Sequence, residues 1–327
     1  MNVYACYNND ATERMRSSSG GVFPLLARQI IRLNGIVYAA CYDNELNVVH
    51  RIIVDEQGIR ASQGSKYVES DLGTTFLKVE NDLKQGRTVM FVGTPCQCAG
   101  LSSFLKQKKT DCGRLFITDF VCHGVPGRTA WRAYLKSQEN KGRKIHKINM
   151  RDKSSGWSNR DYSWSITDQN NNTELISHRQ VSFMKGFLRN LYLRPSCYEC
   201  IFKKENRFSD ITLGDFWGIW KYLPEMDDNK GTSLIITNTE KGEKLLSDIN
   251  PYVTLTMADY KMASAGNSSL IISVKQHKRR TDFYRGVANT DFEDLVNKLT
   301  KLSMPERIKR KIKRIINECR KDSSNSI

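Results

Sequence analysis

The sequence predicts an α/β protein whose core is a mixed β-sheet. Three observations carry this prediction: two successive strand-loop-helix units, a stretch of alternating strands after them, and apolar runs too short to span a bilayer. With 327 residues, of which 39% are hydrophobic and 26% charged, the chain can bury one large α/β domain or two smaller units. This composition indicates neither wholesale disorder nor a membrane-embedded fold.

The first predicted helix follows a polar loop. Residues 22–33 repeat apolar side chains at helical spacing and end at Asn34-Gly35, as helices commonly do. The loop before the helix consists of Arg16, Ser17, Ser18, Ser19, Gly20 and Gly21. On spacing alone we interpret the serines as helix caps. Because hydroxyls, N–H groups and a helix dipole attract anions, a site for phosphate or a flavin diphosphate remains the alternative.

A hairpin, a loop and a helix are predicted next. Residues 36–41 and 48–54 are rich in β-branched side chains and are separated by turn residues, which predicts two paired strands. The loop 64–68 contains Lys66, whose ammonium group is either solvated or in contact with an anionic cofactor. A helix is predicted over residues 75–84.

The two strand-loop-helix units each carry a cysteine after the strand. Strand 88–92 leads to Cys96 and Cys98, with a helix restarting at Leu101, and strand 115–121 leads to Cys122, with a helix over 129–135. Open α/β sheets bind ligands at the carboxyl ends of parallel strands. We therefore expect Cys96 and Cys122 to lie close together.

An inserted antiparallel layer is predicted over residues 145–178, with a hairpin loop at 168–172. A short helix over 183–191 then leads to Cys197 and Cys200, which have Cys-x-x-Cys spacing after a proline. Further along we expect a strand over 233–237 and a helix over 240–248. The last predicted element is a C-terminal basic amphipathic helix from Pro305, where isoleucines recur between basic residues.

The net charge of +16 is partly a property of this C-terminal segment. Residues 301–321 contain nine Lys and Arg against two Glu, so they carry +7 of the total. A basic amphipathic helix suits contact with an anionic membrane surface, an acidic protein or RNA, or docking of its isoleucine face on the domain. We expect peripheral membrane contact ahead of nucleic acid.

The chain has nine cysteines, an odd number. Its start lacks the basic and apolar succession of a secretory signal, which predicts a cytoplasmic location with reduced thiols. Metal or redox chemistry is then favoured over a disulfide framework. Four cysteines stand where they can converge, namely Cys96, Cys122, Cys197 and Cys200, and Cys98 is spare.

Ligand number alone does not separate a zinc site from a 4Fe-4S cluster. Ligands drawn from three distant segments are unlike the local knuckles of a zinc ribbon, and Gly93, Gly124 and Gly214 allow N–H groups to approach sulfur. Both features favour iron-sulfur. A nucleophilic pair of Cys122 and His123 ranks lower, because adjacent side chains usually point apart, and a thioredoxin-like use of Cys197 and Cys200 ranks lower still.

Six separated motifs in one order resemble the coenzyme F-420 hydrogenase/dehydrogenase beta subunit family over about residues 1–285. The motifs are Arg16-Ser-Ser-Ser-Gly-Gly-Val-Phe23, Gly64-Ser-Lys-Tyr-Val68, Gly93-Thr-Pro-Cys-Gln97, Cys122-His-Gly-Val-Pro126, Arg194-Pro-Ser-Cys-Tyr-Glu-Cys200 and Ser209-Asp-Ile-Thr-Leu-Gly-Asp-Phe-Trp-Gly218. The resemblance implies a flavin-dependent oxidoreductase that carries FAD and a 4Fe-4S cluster. It gives Cys96, Cys122, Cys197 and Cys200 the ligand role, and makes Arg16, the Ser17–Gly21 loop and Lys66 the flavin-site candidates.

The resemblance also implies a division of the chain and a set of partners. Residues 1–86 correspond to the flavin-site region and residues 87–285 to the cluster-binding region, with a basic helical tail over 286–327. Many bacterial relatives begin with a ferredoxin-like domain that this sequence lacks, so a separate ferredoxin-like protein is the expected electron donor or acceptor. The expected acceptor is a deazaflavin or, since such relatives often occur beside polysaccharide-building enzymes, another small molecule.

Two other hypotheses from the sequence remain open. One is a non-catalytic, zinc-stabilised protein that uses its basic tail to bind nucleic acid, an anionic membrane or an acidic protein. The other is a partner protein that has lost its cofactors. The presence of all four candidate ligands argues against this hypothesis.

Overall fold

A computed structural model describes residues 1–158 and 162–301. In this part of the chain there are eleven strands and twelve α-helices. The strands are β1 (Asn2–Asn8), β2 (Ile36–Tyr42), β3 (Val48–Ile53), β4 (Val89–Gly93), β5 (Leu115–Phe120), β6 (Ile145–Asp152), β7 (Ser163–Asp168), β8 (Thr173–Ser177), β9 (Ile211–Asp215), β10 (Ser233–Thr237) and β11 (Val253–Ala258). The helices are α1 (Ala11–Arg16), α2 (Phe23–Arg32), α3 (Glu56–Ser62), α4 (Thr75–Lys84), α5 (Pro95–Gln107), α6 (Arg128–Asn140), α7 (Ser182–Leu188), α8 (Ile219–Tyr222), α9 (Glu240–Asp248), α10 (Tyr260–Gly266), α11 (Arg280–Gly286) and α12 (Phe292–Thr300).

Eight strands form one mixed sheet in the order β11-β1-β10-β9-β5-β4-β2-β3. The four central strands β2, β4, β5 and β9 run parallel, and antiparallel strands extend the sheet on both sides. The central strand β4 is almost wholly buried, which suits the continuous apolar run Val89–Val92. Helices α2, α3 and α9 pack on one face, and α4 and α5 pack on the other.

The strands β6, β7 and β8 form a separate antiparallel sheet. It packs with α6, α7, α11 and α12 around an aromatic core that includes Trp131, Tyr134, Trp164 and Phe183. Burying several rings of this size removes a large apolar area from water and fixes the second layer to the first. After this layer an isolated bridge joins Leu193 to Pro126, and the chain re-enters the main sheet at β9.

The predicted fold class is confirmed, since the protein is a mixed α/β fold with tandem β-loop-α units and an inserted antiparallel layer. One helix start was wrong: α5 begins at Pro95, not at Leu101. Thr94 forms a capping box with Gln97, and Pro95 is accommodated in the first turn, so the helix continues through Cys96 and Cys98. Strands β1, β9 and β11 were not predicted.

The predicted basic helix from Pro305 lies outside the described residues. Within residues 286–301, which the sequence assigned to the tail, α12 packs its apolar side chains against α7 and the aromatic core. The described residues contain no helix with both the length and the apolar character that crossing a membrane requires.

Candidate cofactor-binding site

Cys96 and Cys122 follow neighbouring parallel strands, as the sequence predicted. Pairing of Gly93 with Asp119 aligns the carboxyl ends of β4 and β5. Cys96 is exposed in the first turn of α5, where its Sγ lies 3.1 Å from Thr94 Oγ1. Cys122 is partly buried two residues beyond β5. The sheet therefore presents both thiols at the same edge.

The Cys-x-x-Cys segment is attached to the loop that contains Cys122. The Arg194 N–H donates to the Val125 carbonyl at 2.9 Å, and the Val125 N–H donates to Cys197 Sγ at 3.5 Å. Cys197 itself ends a single 3₁₀ turn that begins at Pro195. Backbone contacts thus bring Cys197 beside the Cys122 loop, from a position 75 residues later in the chain.

Gly124 allows this close approach. It has a φ of +147°, and a Cβ at this position would lie 2.9 Å from Leu193 Cδ1 and 3.3 Å from Cys197 Cβ. A larger residue would push the two loops apart. Of the three glycines expected to lie against sulfur, only Gly124 has a candidate ligand next to its Cα; an added Cβ would meet Phe91 and Gln97 at Gly93, and Val121 and Leu234 at Gly214.

Cys122 and Cys197 lie close enough to other thiols for those thiols to affect their pKa values. Burial raises the pKa of Cys122 to about 12, and negative charge on Cys197 and Cys96 adds to the effect. Burial also raises the pKa of Cys197, with further contributions from Cys96 and Cys200. Without a cation these two thiols are protonated at neutral pH, so metal binding there must release protons.

Lys203 lies on the same side as the thiols. Its Nζ donates to the His123 carbonyl at 3.1 Å. Burial lowers the pKa of Lys203, while the charges of Cys122, Cys200 and Cys197 act in the opposite direction. The positive charge of Lys203 therefore interacts with three of the four candidate ligands.

In the described part of the chain, no group of three or more His, Cys, Asp or Glu side chains is arranged to hold a single metal ion. Cysteine thiolates are the usual ligands of an iron-sulfur cluster. The donor set, four cysteine thiols from three converging segments, fits a cluster in its chemistry.

The other cysteines and His123 have different environments. Cys98 is fully buried, with its Sγ 3.7 Å from the Gly93 and Thr118 carbonyls, so it belongs to the core between α5 and the sheet. His123 turns away toward α7, where its Nε2 lies 2.7 Å from Asn190 Oδ1 and its ring packs on Phe187. This orientation does not support a Cys122-His123 catalytic pair.

The serine loop does not cap α2, so the capping interpretation was wrong. The N-cap residue of α2 is Val22, which makes no side-chain capping bond. Ser17 Oγ donates to the Glu13 carbonyl at 2.9 Å, and Ser19 Oγ donates to the Thr232 carbonyl at 3.0 Å. The loop is fixed against the sheet at Gly20, where a Cβ would come within 2.3 Å of the Cys6 carbonyl oxygen.

The structure brings the serine loop and the Lys66 loop together. Ser65 Oγ donates to Ser18 Oγ at 2.8 Å, and Gln63 Nε2 donates to Ser17 Oγ at 3.3 Å. Lys66 is not simply solvated, because its Nζ donates to three backbone carbonyls of residues 62–64 and burial lowers its pKa to about 8. Arg16 is half exposed and pairs with Glu13, apart from these contacts.

Sequence reasoning missed two buried cations beside these loops. Lys153 is 3% exposed and donates to the carbonyls of Arg14, Ser19 and Lys230, each at 2.6 Å. Arg151 is 4% exposed and stacks over the rings of Tyr162 and Trp217. The sequence did contain a signal for these two cations. Two basic residues end a predicted strand whose other side chains alternate between a buried and an exposed face.

Buried polar atoms without partners lie in the same region. Among the described residues they include Arg151 Nε and Tyr42 Oη, and the Tyr42 ring is 5.7 Å from Lys66 Nζ. A buried polar atom that lacks a hydrogen bond is costly and calls for a ligand, a water or an ion. These atoms fit a polar cofactor at the junction of the Lys66 loop and the three-stranded sheet.

Comparison with known proteins identifies the family. The model for the C terminus of the coenzyme F420 hydrogenase/dehydrogenase beta subunit matches residues 86–262, which is more than half of the chain. The chain belongs to this family. The resemblance inferred from the six motifs is therefore confirmed, and the family supports an oxidoreductase role.

A solved structure shares the fold of this family member. It is the F420-reducing [NiFe] hydrogenase complex from Methanosarcina barkeri, studied by xenon derivatization. The match has a TM-score of 0.54 at 14% sequence identity and covers 83% of this chain and 89% of the other. Comparison with curated protein sequences gives no significant match.

Proposed function

We propose that this protein is an iron-sulfur flavoprotein oxidoreductase that passes electrons between a 4Fe-4S cluster, FAD and an external acceptor. The observation that carries the proposal is the convergence of Cys96, Cys122 and Cys197 at one edge of the sheet, with Cys200 in the same loop. Membership of a family of hydrogenase and dehydrogenase beta subunits supports the same reaction class.

The chain's own groups prepare the cluster site. The four cysteines would provide the ligands, and the Val125 N–H would stabilise the Cys197 thiolate by a hydrogen bond. The Lys203 ammonium group would offset part of the negative charge of the thiolates with which it interacts. When bound, such a cluster supplies one-electron transfer and the flavin accepts one or two electrons.

We assign the flavin site to the junction of three segments. These are the Ser17–Gly21 loop, the loop that carries Lys66, and the end of β6 with Arg151 and Lys153. Buried cations would complement a flavin diphosphate, and the unpartnered Tyr42 Oη and Arg151 Nε would bind polar cofactor atoms. Arg16, which pairs with Glu13 at the rim, would contribute only to the electrostatic field.

The external partners are proposed at the level of class. The acceptor is a deazaflavin or another small molecule, and a separate ferredoxin-like protein exchanges electrons with the cluster. The solved structure with the same fold is a hydrogenase complex, which supports the expectation of partner proteins. We place the reaction in the cytoplasm, where reduced thiols are available for cluster assembly.

The first prediction concerns metal and flavin content. Anaerobically purified protein should be brown, contain iron and sulfide, and release flavin on denaturation. Cys197→Ser should lose most of its iron, because it removes the thiol that joins the two cysteine loops. Iron, zinc, sulfide and flavin measured on the same preparations test this.

Cys98→Ser is the matched control, because Cys98 lies in the core and not at the site. It should retain iron at the level of the unmodified protein. A colourless protein that contains zinc without flavin would contradict the proposal and favour the zinc-stabilised binding protein. Equal iron loss in both variants would contradict the assignment of Cys197 as a ligand.

A further inference from the structure

Four large apolar side chains are exposed beside the cysteine site. Ile201, Phe208, Ile271 and Ile272 are 75%, 50%, 46% and 59% exposed, respectively, and we call them the apolar patch. Exposed apolar side chains gathered in one place mark interaction surfaces more often than scattered ones do.

Two contacts show that the segments carrying the patch lie side by side. The Cys200 N–H donates to Ser273 Oγ at 3.1 Å, which joins the residues next to Ile201 and Ile272. Arg207 donates to the Leu270 carbonyl at 3.5 Å, which joins the residues next to Phe208 and Ile271. The segments that carry the patch are therefore held together, and Ile201 directly follows Cys200, one of the proposed cluster ligands.

The surroundings of the patch are basic. Residues 199–208 and 267–280 together contain seven Lys and Arg and two Glu. Of these, Lys204, Lys275 and Lys278 are exposed. Such a surface complements an acidic partner. The chain's own residues 302–327 do not complement it, because they contain eight Lys and Arg against three acidic residues.

Building on the proposed function, we propose that the apolar patch and its basic rim dock an acidic electron-carrier protein of the ferredoxin type. In each encounter the reduced carrier loses one electron and this protein gains one, and no covalent bond forms. Redox encounters use small interfaces, and a few apolar side chains within a charged rim match that class. Docking over Cys200, which is partly exposed, would bring the carrier next to a proposed cluster ligand.

The test uses a purified acidic ferredoxin with two 4Fe-4S clusters as the probe. Binding to the anaerobically purified full-length protein is measured by surface plasmon resonance at several salt concentrations, and electron transfer from the reduced ferredoxin by stopped flow. Ile272→Glu should weaken binding at least tenfold, because it places a like charge opposite the acidic partner. Lys275→Glu should reduce the dependence of binding on salt.

Met257→Glu is the matched control, since Met257 is 68% exposed on β11 and lies outside the patch. Met257→Glu should change binding by less than twofold. Ile272→Glu and Met257→Glu should both keep their iron, and dithionite should still reduce both proteins directly. Equal binding of the ferredoxin by the unmodified protein and Ile272→Glu, or no binding by either, would overturn the docking surface. A loss of self-association in Ile272→Glu would also overturn it, by showing that a second copy covers the patch.

The two proposals fail in different ways. A protein without iron or flavin contradicts the proposed function. A protein that contains both, yet binds the ferredoxin equally well after Ile272→Glu, contradicts the docking surface alone.

Discussion

Both ring nitrogens of His50 make hydrogen bonds. Nε2 donates to the Val92 carbonyl at 2.9 Å, so Nδ1 accepts from Ser70 Oγ at 2.7 Å. The ring also stacks on Phe91. His50 therefore links β3 to the end of β4, which leads into the Cys96 turn, and it does so as a neutral imidazole.

We predict that His50 makes stability fall in mild acid. Burial lowers the pKa of His50 from 6.5 to about 4. The unfolded chain therefore binds a proton that the folded chain excludes, and the free energy of unfolding decreases as pH falls from about 6.5 toward 4. The free energy of unfolding should fall by about 2 kcal/mol. This is less than the free energy that corresponds to the whole pKa shift, because the side chain is only partly buried. Urea unfolding at pH 7 and pH 4.5 measures it.

His50→Gln keeps a side chain that can donate and accept but does not titrate in this range. Its loss of stability between the two pH values should be smaller than that of the unmodified protein. His146→Gln is the control, because His146 is exposed on β6. An unchanged pH dependence in His50→Gln would contradict the prediction.

At the scale of single residues, spacing in the sequence was informative for the cysteines and uninformative for their surroundings. Cys96 and Cys122 were expected together because each ends a recognisable strand, and they follow adjacent strands. The partner of Ser19 could not be predicted, because Thr232 lies more than 200 residues away in the sequence. Arg151 and Lys153 were missed for the same reason: their burial depends on loops distant in sequence.

Among the elements, Lys153 at the end of β6 ties the antiparallel layer to the serine loop. Its three hydrogen bonds match the three donors of an ammonium group, although burial lowers the pKa of Lys153 to about 7. We predict that Lys153→Met destabilises the protein by about 2–4 kcal/mol, because three buried carbonyls lose their donor. Urea unfolding at one pH measures the change.

Lys147→Met is the matched control, because Lys147 is exposed on β6, the strand that leads to Lys153. It should change the free energy of unfolding by less than about 0.5 kcal/mol. Lys153→Met should also lower the flavin content, since it releases the Ser19 carbonyl. A Lys153→Met protein as stable as the control would show that water replaces the ammonium group at little cost.

Elements with a clear apolar pattern were predictable, and those with mixed patterns were not. Helices α4 and α9 have the predicted bounds, and β4 and β5 were recognised from apolar runs. Strand β9 was missed because its sequence, Ile-Thr-Leu-Gly-Asp, is short and ends in turn residues. Only its pairing with β5 and β10 makes it a strand.

For the whole molecule, the proposed cluster site leads us to predict that iron removal leaves the sheet folded and loosens only the cysteine loops. The eight-stranded sheet has its own buried core on both faces, whereas residues 121–127 and 193–203 are held together by a few backbone contacts. Hydrogen exchange of these loops should increase in iron-free protein, and exchange of β4 and β5 should not change.

The measurement compares iron-loaded protein with protein treated anaerobically with a chelator. Strands β1 and β10, at the other side of the sheet, serve as the internal reference. A general loss of protection, or a loss of far-UV circular dichroism, would contradict this prediction. It would show that iron contributes to the stability of the entire fold.

The position of β1 has a consequence for how the protein is made. Val3 pairs with both Ile236 in β10 and Ala258 in β11, so the earliest described strand lies between two strands from much later in the chain. Contacts so distant in sequence form slowly. During synthesis β1 must wait, unpaired, until more than 200 further residues have left the ribosome. Chaperone binding to the nascent chain would therefore be most useful here, before the sheet is complete.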